Sequence, residues 1–210
     1  MVRMNRVDPW GDLHAVVPRG LFTGNRGCLV NAQGLLTRHH HGSLWISCVT
    51  EFRNKRQPLA APHRWTPLFF LDEAVALAAG HRPCGFCRRA AYEEFRNALS
   101  SPGGALASAT QLNRMLAAER LRPGRGLARA ADRITSTSDI SAVPAGAVIV
   151  RGIDAALVLP KHLMEFSFAG WTAPVPRPRA GSVQVLTPPT FCFALRNGYR
   201  PVLHPSAQLG

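Results

Sequence analysis

The chain has 210 residues, 46% of them hydrophobic and 18% charged, enough to bury a substantial core. Lysine and arginine number 25 against 12 acidic residues, a formal charge of +13 carried almost wholly by arginine, which points to polyanions such as nucleic acid as partners, a solvated basic surface without a partner being the alternative. No stretch reaches the roughly 20 apolar residues of a membrane span, and the N-terminus lacks the apolar core of a secretion signal. A cytoplasmic location without membrane contact is therefore expected. The five cysteines then suggest metal binding or catalysis before disulfides.

Residues 10–60 read as strands. ‘HAVVPRGLFTGNRGCLV’ alternates apolar runs with glycine turns, and ‘GSLWISCVTEFR’ alternates about Trp45, Cys48 and Phe52. Asp72 has the character of an N-cap, with Glu73 in the first turn and Gly80 as the stop, so a short helix is expected over 73–79. A second helix follows in ‘RRAAYEEFRNAL’, with Ala91, Phe95 and Leu99 on one face. ‘SSPGGALAS’ breaks the chain, and ‘ATQLNRMLAAERL’ resumes as an amphipathic helix. ‘RPGRGLARAADRITSTSDIS’ reads as a basic linker in which Arg120, Arg122, Arg125, Arg129 and Arg133 make a mobile cationic arm. Beyond it, ‘GAVIVRG’, ‘AALVLP’ and ‘SVQVLT’ read as strands, and ‘PPTFCFALRNGYRP’ as a last helix ended by Gly198. The fold class is α+β. Its expected units are an α+β module over 1–100, a helix and linker over 101–142, and a small β-rich domain with a C-terminal helix over 143–210.

The chemistry centres on ‘RPCGFC’. Pro83 fixes the approach, Gly85 allows a sharp turn, and both sulfurs of Cys84 and Cys87 can face one side. A tetrahedral zinc site needs two further ligands, for which Cys48 and Cys28 stand upstream on expected strands. A histidine (His14, one of His39, His40 and His41, or His63) is the alternative to Cys28. A thioredoxin-like dithiol would want a strand before the pair, and a helix precedes it. Cys192, between two phenylalanines, reads as core. His81 can either touch the knuckle or pack, and ‘RHHHG’ reads as a surface turn.

‘FFLDEAVALAAGHRPCGFC’ resembles the end of the Ada-type methylphosphotriester-repair zinc domain, where a Phe-Phe segment, an alanine-rich helix and a Pro-Cys-x-x-Cys knuckle occur in that order. ‘WISCVTEFRNKRQPL’ resembles its cysteine-bearing strand and basic segment, so the likeness spans about residues 44–89. It implies an Ada-like zinc module and makes Cys48 the candidate nucleophile, a zinc-activated thiolate accepting an alkyl group. The family carries a Cys-x-x-x-Cys pair at this point, whereas Phe52 stands four residues after Cys48 here. The whole chain, with ‘GNRGC’ and ‘LTPP…GYRP.LHP’, also resembles a bacterial family to which no activity attaches.

The expected contact surface for nucleic acid, DNA more than RNA, comprises Arg53, Lys55, Arg56 and Arg64 about Trp65, extended by Arg82, Arg88 and Arg89. Arginines supply phosphate contacts and the indole a stacking face. No carboxylate dyad, nucleophile elbow, P-loop or dinucleotide fingerprint appears, so a non-enzymatic zinc protein binding DNA is the leading expectation. A structural or protein-interaction role is the alternative to it and to alkyl transfer.

Overall fold

The structure is a computed structural model and describes residues 3–53, 64–100 and 106–208. The chain forms two sheets around a short helix. The first sheet uses β1 (Arg6–Val7), β2 (Leu13–His14), β3 (Phe22–Asn25), β4 (Ile46–Val49), β5 (Leu68–Phe70) and β6 (Arg82–Pro83), in the order β2-β1-β5-β3-β4-β6. Helix α1 (Glu73–Ala78) lies between β5 and β6, and α2 (Arg89–Leu99) follows the cysteine knuckle. After α3 (Ala109–Ala118) the second sheet is built from β7 (Ser136–Asp139), β8 (Val148–Arg151), β9 (Asp154–Val158), β10 (His162–Ser167), β11 (Gly170–Trp171), β12 (Val175–Pro176) and β13 (Ser182–Val185). Its order is β11-β10-β9-β8-β13-β7, with β12 paired on β10. Helix α4 (Pro189–Arg196) precedes an extended tail.

The α+β class is as expected. The first sheet uses strands between Arg6 and Pro83 and the second strands between Ser136 and Val185, so β7 lies within the stretch expected as linker, and the cores of the two sheets are interleaved. Phe22, Leu68 and Phe70 of the first sheet share one cluster with Val148, Leu157 and Trp171 of the second, and α1 contributes Ala74, Val75, Ala76 and Ala78 to it. Every residue of α1 is buried. A helix apolar on all sides belongs inside, and its alanines let both sheets come close. The Asp72 side chain caps it, accepting from the Val75 N–H at 3.0 Å.

The basic segment after α3 is not a free arm. Arg120, Arg129 and Arg133 are buried, while Arg122 and Arg125 are exposed. The Arg133 guanidinium donates to the carbonyls of Arg120, Leu186 and Ala78, which ties this segment under α1. The reason is length: an arginine stem can span a gap between elements and deliver donors to carbonyls that no backbone group reaches. Strands β1, β5 and β6, and β7, β10, β11 and β12, lie outside the stretches expected as strand; they are short or, like ‘STSD’ and ‘HLMEFS’, carry little alternation. Among the described residues no helix is long and apolar enough to cross a membrane.

Candidate metal centre

The sulfur atoms of Cys48, Cys84 and Cys87 all lie within 4.8 Å of one another. Strand register brings them together. Short β6 runs parallel to β4, with Ile46 opposite Arg82 and Ser47 opposite Pro83, and the Cys84 N–H donates to the Ser47 carbonyl at 2.9 Å. The next step of that ladder sets Cys84 beside Cys48. The chain then turns, the Arg88 N–H reaching back to the Cys84 carbonyl at 3.0 Å, and returns Cys87 to the same point. Gly85 serves this turn through space and not through a left-handed backbone. A Cβ there would meet the Tyr92 ring at 3.0 Å.

The thiols act on one another. The Cys84 thiol is pulled below its ordinary value, first by hydrogen bonds from Cys48 and Cys87, with burial opposing and the Cys87 and Phe86 N–H groups assisting. The Phe86 N–H lies 3.4 Å from the Cys84 sulfur. Cys48 is pushed up, its proton held by Cys84 and Cys87. Three sulfurs at this spacing fit one ion: tetrahedral zinc–sulfur bonds of about 2.3 Å put ligands roughly 3.8 Å apart. All three are free thiols.

Cys28 is not a member of this group. Its thiol donates to the Val30 carbonyl at 3.5 Å. Antiparallel pairing explains the separation. Thr23 is the cross-strand neighbour of Cys48, and from there the register runs to Asn25 opposite Ile46, carrying Cys28 past the end of β3 and away from Cys48. Nor, among the described residues, do the candidate histidines join it. His14 pairs with Asp8 at 2.7 Å, and His39 hydrogen-bonds Arg26 and the Gly11 carbonyl. His63, Lys55 and Arg56 lie outside the described residues.

The three sulfurs open onto a pocket of about 350 Å³, walled by Phe52, Trp65 and Phe86 and backed by Thr23 and Asn25. Phe52 and Phe86 meet edge-on at 5.0 Å, and the exposed Arg53 guanidinium lies over both rings, 5.1 and 5.4 Å from their centroids. Arg53 takes a left-handed backbone, φ 54°, to do so. Arg64 and Arg89 are also exposed, the latter paired with Glu93 at 2.8 Å.

Two expected contact residues face inward instead. The Arg88 guanidinium pairs with Glu73 at 2.8 Å, donates to the Ser47 hydroxyl at 2.9 Å and lies over Phe22. Arg82 is buried, donating to the Asn113 side chain at 2.9 Å and to the Pro83 carbonyl at 3.0 Å. Neither is available to a phosphate backbone. His81 is buried between Phe70 and Trp45, at 4.7 and 5.1 Å, so it packs and does not touch the thiols. Cys192 is core, as expected, its thiol donating to the Thr187 carbonyl and pushed up to about 12 by burial.

No family model, curated protein or solved structure matches the chain.

Proposed function

We propose that the protein binds one zinc ion through Cys48, Cys84 and Cys87 and binds nucleic acid, DNA in preference to RNA, across the mouth of that centre. Zinc, when bound, would hold the sulfurs as thiolates and crosslink β4 to the knuckle. The observation that carries the reading is the Arg53 guanidinium laid over Phe52 and Phe86 beside the three sulfurs. Cation and aromatic face together are what a single strand or an everted base engages: the ring stacks and the guanidinium meets a phosphate. Phe86 is 67% exposed, and a large aromatic side chain in that position is a contact waiting for a partner. Exposed Arg64 and Arg89 adjoin the pocket residues Trp65 and Cys87 in sequence and add positive charge to the chain there, and the Ada-like residues of the knuckle favour DNA. The test is binding of a labelled oligonucleotide at several salt concentrations. A steep fall of affinity with salt, together with weaker binding by Arg53→Ala, is expected; affinity indifferent to salt would refute it.

The pocket favours a second reading, in which Cys48 accepts an alkyl group. Among the described residues no fourth histidine, cysteine or carboxylate completes the group of three sulfurs, and protein metal sites with three ligands and an open face are commonly reactive. In that step the Cys48 sulfur forms a bond to the methyl carbon of a phosphotriester as the carbon–oxygen bond breaks. The oxygen keeps the electron pair and leaves as the phosphodiester. Intact-mass analysis after incubation with methylated DNA decides it: a single added methyl group, absent in Cys48→Ser, supports transfer, and an unchanged mass removes it.

A further inference from the structure

On the other side of β4 the chain assembles a second polar site. Trp45, just before that strand, faces the opposite way from Ile46 and Cys48, since neighbouring residues of an extended chain alternate. Two guanidinium groups lie over its indole, Arg26 at 4.7 Å and Arg120 at 4.6 Å from the ring centroid. Arg133 donates to the Arg120 carbonyl, and none of the three arginines is more than 4% exposed.

Their donors go mostly to neutral acceptors. Arg120 uses Nε on the Gly80 carbonyl and Nη1 on the Ser43 carbonyl, each at 2.8 Å. Arg26 donates to the Gly11 carbonyl at 2.7 Å and contacts His39. Arg26 Nε, Arg120 Nη2 and Arg133 Nε have no partner, although all three are buried. A guanidinium cannot shed its charge to escape this, and buried polar atoms in native proteins are almost always satisfied. The nearby carboxylates are engaged elsewhere. Asp8 accepts from His14 and from the Gly11 and Asp12 N–H groups, Asp12 from the Arg129 N–H, and Asp132 holds the Arg129 guanidinium. Glu119, beside Arg120 in sequence, accepts from the N–H and hydroxyl of Thr190.

Arg120 lines a pocket of about 240 Å³ with His40, Trp45, Arg122 and Arg129, and no carboxylate is in its wall. Arg122 is exposed and half-buried His40 stands near it in the lining. Sites for drug-sized ligands run to roughly 300–1,000 Å³, so this one suits something smaller.

We propose that the pocket binds a phosphate-class oxyanion, free or carried on a small phosphomonoester, with Arg120 as its buried anchor and Arg122 and His40 beside it. Of the three residues with an unpartnered N–H only Arg120 is in the pocket lining, and there a tetrahedral oxyanion offers several acceptors in a compact volume to it and to the neighbouring guanidinium groups of Arg122 and Arg129. The proposal is independent of the cysteine centre, whose sulfurs lie on the opposite side of β4.

The test is thermal unfolding and calorimetric titration of the full chain with inorganic phosphate and with glycerol phosphate, against chloride at matched ionic strength. Both phosphates are expected to raise the melting temperature and to saturate at one per chain, while chloride does neither. A tighter fit for glycerol phosphate identifies a small organic phosphate, and equal fits identify the free ion. Arg122→Ala removes an exposed side chain without a partner, so it should melt as the wild type does while binding phosphate about tenfold more weakly. Arg120→Met should abolish binding, with circular dichroism reporting its fold. A response equal to that of chloride, an Arg122→Ala protein that binds as the wild type does, or displacement of phosphate by a DNA duplex would each overturn the proposal.

Discussion

The Arg88 guanidinium meets the Glu73 carboxylate at 2.8 Å with side-chain exposures of 5% and 1%. Glu73 also accepts the Tyr199 hydroxyl at 2.5 Å and the Val202 N–H at 3.0 Å, so one carboxylate joins the knuckle, the central helix and the C-terminal tail. Asp72 does the same beside it, accepting from the Trp171 indole at 2.6 Å and the His204 N–H at 3.0 Å. Asp72, the cap of α1, thus also ties that helix to the second sheet, and Glu73 beside it ties the helix to the knuckle and the tail.

Removing Arg88 leaves the Glu73 charge buried without its cation. Breaking a buried pair this way costs about 3–5 kcal/mol. Arg88→Ala is therefore expected to lower the urea midpoint strongly. Arg89→Ala, one residue on and 76% exposed at the side chain, should cost no more than about 0.5 kcal/mol, because surface pairs contribute little. Comparable losses in the two variants would contradict the internal role of Arg88.

Metal content separates the cysteines. Elemental mass spectrometry of purified protein should find the ion lost in Cys48→Ser, Cys84→Ser and Cys87→Ser, and retained in Cys28→Ser, whose thiol faces the Val30 carbonyl. Chelation of the wild type should lower the melting temperature, since the site ties β4 to a knuckle more than 30 residues later. Loss of metal on changing Cys28 would show that the chain closes a four-cysteine site.

Local signals in the sequence carried well. Asp72 capped the helix it was expected to cap, Gly80 ended it at φ 87°, and Cys84 and Cys87 came to face Cys48. What was not legible depends on partners distant in the chain. Nothing in ‘HRPCGFCRR’ distinguishes Arg88, which finds Glu73, from Arg89, which stays in solvent, because adjacent residues at a helix start point different ways. Cys28 has a ligand's residue type without a ligand's place, because strand register decides which sulfurs meet. Arg26 inside ‘GNRG’ reads as a turn residue, yet it is fully buried against Trp45. Among the described residues seven arginines are buried, against three carboxylates, so part of the charge attributed to the surface is interior.

The Asp8–His14 pair gives a pH dependence. His14 is raised above 6.5, first by its hydrogen bond to Asp8, with burial opposing and the charges of Asp8 and Asp12 assisting. A histidine that holds its proton more tightly when folded adds stability that is full below its unfolded value of about 6.5. That contribution fades as pH rises through the folded value. Its size is small, since the His14 side chain is 41% exposed and screened by solvent. An NMR titration should place the His14 midpoint above 6.5, and Asp8→Asn should bring it down. A midpoint unmoved by Asp8→Asn would remove the pair as the cause.

Phe86 tests the contact surface without disturbing the core. At 67% exposure it stands at the pocket mouth against Phe52 and the Arg53 guanidinium, so Phe86→Ala should leave metal content and melting temperature nearly unchanged. Base stacking on an aromatic side chain is worth about 1–3 kcal/mol, so the same change should weaken single-stranded DNA binding by roughly tenfold or more. Its salt slope should not move, because no phosphate contact is removed. Arg53→Ala should do the reverse in one respect, lowering affinity and making the slope shallower by about one counterion. If both variants bind DNA as the wild type does, the aromatic and cationic groups at the sulfur pocket are not where nucleic acid sits.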